Sequence, residues 1–130
     1  MRVFVDSSYY IAWLIPRDQW FRAAVRASRP GLDFVTSSAV INEVISLLQS
    51  RGQLSPALAF LERIRREEVQ IVYPDSALQE EAWRLFGKWA GMGANAVDCL
   101  SFAIMHQLGI RKAFTFDQHF RAAGFEILHG

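Results

Sequence analysis

The sequence predicts an α/β fold, a three-layer α/β/α sandwich around a central, mainly parallel sheet of four or five strands. Two observations lead there. Short β-branched and aromatic runs alternate with helical runs along the 130 residues, which is the signature of βαβ units. No internal repeat, low-complexity tract or linker interrupts that alternation, so one domain over residues 1–130 is expected.

RVFV (2–5) opens the chain as a short buried strand. Asp6, Ser7 and Ser8 are cap-type residues, and the helical run YYIAWL follows as far as Pro16. Asp18 caps a second predicted helix, 19–28, which RPG (29–31) ends. DFVTS (33–37) is the second strand and leads into the helix SAVINEVISLLQSRG, stopped by Gly52. Residues 54–65 set Leu54, Leu58, Leu61 and Ile64 on one stripe, with Glu62, Arg63, Arg65 and Arg66 elsewhere, the pattern of an amphipathic helix. VQIVY (69–73) is the third strand, and Pro74-Asp75 starts a helix through Leu78, Ala82, Leu85, Phe86 and Trp89. After the loop GMGAN (91–95) comes the strongly apolar helix 96–109. AFTF (113–116) is the fourth strand, 117–122 a short helical turn, and FEIL (125–128) the last strand.

The chain is 52% hydrophobic and 13% aromatic, which is enough for a core and excludes a disordered chain. A net charge of +1 points by itself to neither nucleic acid nor membrane. Cys99 is the single cysteine, so no intramolecular disulfide forms, and His106, His119 and His129 lack the spacing of a zinc cluster. No apolar run approaches the ~20 residues of a membrane span, and MRVFVDSSYY lacks the apolar stretch of a signal peptide. A cytoplasmic, soluble domain is the expectation.

In open α/β sheets, ligands bind beyond the carboxyl ends of the strands. Asp6 follows the first strand and Asp117 the fourth. Glu43 lies two turns into the helix after the second strand, and Asp98 in the first turn of the helix before the fourth. Asp6 and Asp117 could each merely cap the turn that follows, and Glu43 alone reads as a border residue. Asp98 is harder to dismiss. Its helix is apolar almost all round, a buried carboxylate needs a partner, and no Lys or Arg lies within a turn of it. Gathered carboxylates repel, and a divalent cation relieves that repulsion. All-oxygen ligands select Mg2+ or Mn2+, whose usual work is phosphate chemistry.

The blocks VFVDSSYYIAWL, INEV, AVDCLSFAIMHQLGI and AFTFDQHFRAAGFEIL resemble those of PIN-domain ribonucleases, most closely the VapC-type toxins of toxin–antitoxin pairs. The resemblance covers essentially the whole chain. It implies a metal-dependent endoribonuclease with Asp6, Glu43, Asp98 and Asp117 as catalytic acids, of which Asp6, Asp98 and Asp117 hold Mg2+ or Mn2+. Glu43 then orients the attacking water or helps hold a second ion. Ser7 and Thr115 match the family's small hydroxyls, which bind a metal water or a phosphate oxygen; backbone capping is the competing role. Asn95, three residues before Asp98, either contacts the site or caps the helix.

The resemblance also implies an RNA substrate, of which tRNA and rRNA are the obvious classes, a homodimer, and a small antitoxin whose basic tail plugs the acidic pocket. Candidate RNA contacts are Arg17, Arg22, Arg26, Arg29, Arg51, Arg84 and Lys88, with Tyr9, Trp13 and Trp20 for base stacking. Exposed parts of the apolar stripes on the first two helices and on 54–65 would serve as interface. A PIN nuclease that matures rRNA or tRNA and a catalytically inactive PIN-like binding module are the alternatives. Two phosphoryl-transfer families drop out. A haloacid dehalogenase-type hydrolase needs an Asp where this chain has Ser8, and a response-regulator receiver needs a paired acid at the first strand and a Lys after the last.

Overall fold

A computed structural model describes residues 1–15 and 31–128. The predicted helix 19–28, with Arg17, Trp20, Arg22, Arg26 and Arg29, lies outside the described residues. In chain order the elements are β1 (Arg2–Val5), α1 (Ser7–Leu14), β2 (Asp33–Ser37), α2 (Ser38–Ser50), α3 (Leu54–Arg66), β3 (Gln70–Val72), α4 (Ser76–Trp89), a 3-10 turn (Ala90–Met92), α5 (Ala96–Leu108), β4 (Lys112–Phe114), α6 (His119–Ala122) and β5 (Glu126–Leu128).

The five strands form one sheet in the order β3-β2-β1-β4-β5. Every pairing is parallel, with Phe4 facing Val35 on one side and Ala113 on the other. The prediction of a mainly parallel sheet thus resolves to an all-parallel one. Parallel sheets are covered on both faces, and the central strand shows it: Val3, Phe4 and Val5 are wholly buried. Helices flank the sheet, α1 packing on α2, α2 on α3, and α4 on α5. The aromatic core includes Tyr9 stacked on Phe114 at 4.7 Å and Phe102 edge-on to Phe120 at 5.0 Å.

The chain runs outward from β1 through β2 to β3, then returns to the other side of β1 for β4 and β5. The switch in direction falls between β1 and β4. It opens a crevice at their carboxyl ends, where ligands of open α/β sheets bind.

Most elements match the sequence reading to within a residue or two at their ends, and two differences bear on the packing and the site. The buried stripe of α3 is Ala57, Phe60 and Ile64, whereas Leu54 and Leu58 are 55% and 59% exposed. Ile64 of the predicted stripe is buried and Leu61 packs partly buried against the core, while Phe60 takes the core position beside Tyr10, at 5.1 Å between rings. The fourth strand stops at Phe114, not Phe116. Beyond it the backbone amides bond to hydroxyls instead of to a neighbouring strand. Phe116 N–H donates to Ser8 Oγ at 3.0 Å and Asp117 N–H to Thr115 Oγ1 at 3.0 Å. Such local side-chain acceptors compete with a ladder, and here they bend the chain so that Asp117 lies in a turn.

Candidate active site

The four sequence-predicted acids come together at the switch point. Asp6 leaves β1 and is 2% exposed. Although it occupies the N-cap of α1, its side chain makes no capping bond, which removes the plain structural explanation for it. Its Oδ2 accepts from Ser8 Oγ at 2.9 Å and from Thr115 Oγ1 at 2.8 Å, while Oδ1 is buried without a hydrogen-bond partner. Burial pushes the Asp6 carboxyl above its ordinary range. The Thr115 and Ser8 hydroxyls and the Ser7 backbone amide pull it back in part, and Glu43 pushes it further.

Asp98 sits at the third position of α5, and Asn95 closes a capping box with it. Asn95 Oδ1 accepts from Asp98 N–H at 2.9 Å, and Asp98 Oδ2 accepts from Asn95 N–H at 3.0 Å. Of the two roles open to Asn95, the cap is the one its bonds display. Even so, burial raises the Asp98 carboxyl to about 7, against the Asn95 amide that lowers it, and repulsion from Asp6, Asp117 and Glu43 adds to the rise. That repulsion is the electrostatic mark of a shared site.

Glu43, half-buried on α2, accepts a short hydrogen bond from Ser7 Oγ. Asp117 accepts His119 N–H on Oδ1 at 2.9 Å, so its turn-capping role is real but occupies one oxygen only. Ser7 therefore serves Glu43, and Thr115 serves Asp6. Ser8 bridges Asp6, Thr115 (3.2 Å) and the Phe116 amide. Sequence reasoning passed over Ser8, since a hydroxyl two residues after an acid is also an ordinary helix-start residue. It passed over His119 too. Asp98, Asp117 and His119 bring one donor atom each to within 4.8 Å of one another. The signal was the D-x-H spacing in TFDQHF, invisible while histidines were weighed only as zinc ligands.

The proposed RNA contacts fare unevenly. Tyr9 is core, 3% exposed. Trp13 is partly buried under the Arg63 guanidinium, 4.3 Å from the ring centre. Arg84 pairs with Glu81 at 2.5 Å, and Lys88 lies over Trp89 at 5.2 Å. A cavity of about 370 Å³ between α1, β2 and α3 is lined by Tyr9, Tyr10, Trp13, Phe34, Phe60 and Arg63 among others. None of the four acids lines it. Among the described residues, no helix is long and apolar enough to cross a membrane.

Residues 3–126 match the PIN domain family. The chain belongs to that family. This PIN domain is 33% identical over 125 residues to the 23S rRNA-specific endonuclease VapC20 of Mycobacterium tuberculosis, in strains CDC 1551 / Oshkosh and H37Rv, covering 95% of each chain. The crystal structure of M. tuberculosis VapC20, a Sarcin-Ricin loop cleaving toxin, superposes with a TM-score of 0.91 at 31% identity, over 98% of this chain and 99% of that one. VapBC-1 from nontypeable Haemophilus influenzae shares the fold at 14% identity and a TM-score of 0.65, covering 98% of this chain and 96% of its own.

Proposed function

We propose that this PIN domain is a divalent-metal-dependent endoribonuclease that acts as the toxin of a toxin–antitoxin pair. The observation that carries the proposal is the convergence of Asp6, Glu43, Asp98 and Asp117, close enough for the other three to raise the Asp98 carboxyl. The donor set fits a cation. Asp6 Oδ1 is a buried carboxylate oxygen with no donor, an arrangement that costs free energy until something positive meets it.

Asp6, Asp98 and Asp117 would hold Mg2+ or Mn2+, which suits oxygen ligands. The ion supplies an acidified water and neutralises charge on the phosphoryl oxygens. The protein's own groups do the positioning. Ser8 and Thr115 fix Oδ2 of Asp6 and leave Oδ1 for the ion. The Asn95 amide likewise fixes Oδ2 of Asp98. Glu43, steadied by Ser7, orients the attacking water towards the phosphodiester. An acidic crevice repels RNA, so exposed cations such as Arg51 and Lys88 recruit the backbone.

The substrate class follows from the relative. VapC20 is named for 23S rRNA, which makes large-subunit ribosomal RNA the first substrate to try. A cytosolic antitoxin with a basic segment would neutralise the acids, and the cleft between α1 and α3 offers it apolar surface. A second copy of the chain completes the expected assembly as a homodimer.

The test is cleavage of 23S rRNA and of transfer RNA by purified protein in Mg2+ or Mn2+, beside EDTA and Asp98→Asn controls. Discrete cuts lost in both controls are expected. Cuts that survive Asp98→Asn would refute the proposed site. Metal binding without cleavage of any RNA would favour a binding module.

A further inference from the structure

We infer that His119 contributes a ring nitrogen to the cation held by Asp98 and Asp117, and that this nitrogen raises the site's preference for Mn2+ over Mg2+. The inference rests on the metal-site reading above and specifies it. The sequence-derived acids are all oxygen donors; a nitrogen donor changes which ion the site selects.

Three observations converge. A donor atom of His119 lies within 4.8 Å of one from Asp98 and one from Asp117. His119 Nδ1 is 2.6 Å from Asp117 Oδ1, yet that nitrogen is buried and makes no hydrogen bond. The carboxylate oxygen takes the His119 backbone N–H instead, at 2.9 Å. The short contact is therefore not a ring N–H aimed at the carboxylate. A protonated imidazole makes this contact an ion pair with the carboxylate, and a cation bound beside the two atoms would take the place of that proton.

The third observation lies on the loop before α5. Gly93 has φ +99°, and a Cβ built there would stand 2.9 Å from His119 Nε2 and 3.3 Å from Cε1. The imidazole thus rests directly against backbone at Gly93, in space that any side chain would fill. The loop that leads to Asp98 and the turn that carries Asp117 hold the ring between them. The ring is thus placed beside both acids although its side chain is 35% exposed.

The chemistry follows from donor type. Mg2+ favours oxygen ligands and sheds water reluctantly; Mn2+ also suits carboxylates and water, but as a first-row transition ion it accepts an imidazole nitrogen more readily than Mg2+ does. An imidazole beside two carboxylates therefore strengthens Mn2+ binding more than Mg2+ binding.

The experiment uses the full chain stripped of metal with EDTA and titrated with Mn2+ alone, followed by electron paramagnetic resonance. Electron spin echo modulation then reports whether a nitrogen is bonded to Mn2+, and Mg2+ competition gives the relative affinity. Wild-type protein is expected to show nitrogen modulation that changes isotope when histidine is labelled with 15N. His119→Gln is expected to lose that modulation and to bind Mn2+ at least about tenfold more weakly, with a smaller loss for Mg2+. Bound Mn2+ without nitrogen modulation in the wild type would overturn the inference, and that reading needs no variant to fold. An unchanged Mn2+-to-Mg2+ ratio in His119→Gln would overturn it as well. If Asp98→Asn bound Mn2+ as tightly as the wild type, the metal site itself would be misplaced and the inference would fall with it.

Discussion

Thr115 Oγ1 donates to Asp6 Oδ2 at 2.8 Å across 109 residues of sequence. The bond ties the end of β4 to the end of β1, the two strands that flank the switch point of the sheet. Ser8 joins the same knot, donating to Asp6 and accepting from the Phe116 amide. One side of the Asp6 carboxylate is thereby satisfied and the other left bare. The fold itself decides which oxygen is left without a partner.

Thr115→Val keeps the shape of a wholly buried side chain and deletes the hydroxyl. It leaves a buried carboxylate oxygen and the Asp117 amide short of a partner. The expected cost is about 1–3 kcal/mol in urea unfolding, with weaker Mn2+ binding, because the hydroxyl is one of the groups that keep Asp6 ionised. Thr115→Ser is expected to recover most of both. Equal stability of the Val variant and the wild type would show that the knot contributes nothing.

Asp98→Asn separates the two duties of that side chain. An amide oxygen can still accept the Asn95 N–H, so the capping box survives, while the repelled charge is gone. Metal-free Asp98→Asn is therefore expected to unfold at or above the wild-type temperature at pH 8. It is also expected to gain nothing from Mn2+, whereas the wild type should gain about 2.7 kcal/mol at a hundredfold excess over Kd. Differential scanning calorimetry of the four samples reads both effects.

The fold was legible because its strands are short apolar runs with helices between them, and DFVTS was bounded to the residue. The four acids were legible for a similar reason, since topology places strand ends and helix starts at one edge of the sheet. What failed to show was side-chain geometry across long sequence separations. Nothing in the one-dimensional pattern says that Ser7 bonds Glu43 while Ser8, one residue on, bonds Asp6. Nor could the end of β4 be seen, since Phe116 looks like strand and is peeled away by Ser8, 108 residues distant. On α3, leucine periodicity and phenylalanine size competed, and packing against Tyr10 decided for Phe60.

That last difference is measurable. Leu58→Gln alters a side chain that is 59% exposed, and it should change unfolding free energy by no more than about 0.5 kcal/mol. Phe60→Ala empties a core position and should cost about 3–5 kcal/mol. Comparable losses for the two would restore the leucine stripe as the buried face.

The raised carboxyls give the protein a distinctive dependence on pH. Asp98 titrates near 7 in the folded chain against an ordinary value of 3.8, and Asp6 is shifted in the same direction by burial. Between those values the folded state holds protons that the unfolded chain has released, so metal-free stability must fall as pH rises through that window. The favourable contribution is complete below pH ~4 and gone above ~7. A cation competes with those same protons, and its binding releases them. The stabilisation by Mn2+ should therefore be small at pH 5 and large at pH 8. Thermal unfolding at both values, in EDTA and in Mn2+, gives four midpoints; the wild-type EDTA pair should drop with pH, and subtracting the Asp98→Asn series isolates the share of this one carboxyl. A Mn2+ increment that is the same at pH 5 and pH 8 would mean that the ion is held by groups other than these acids.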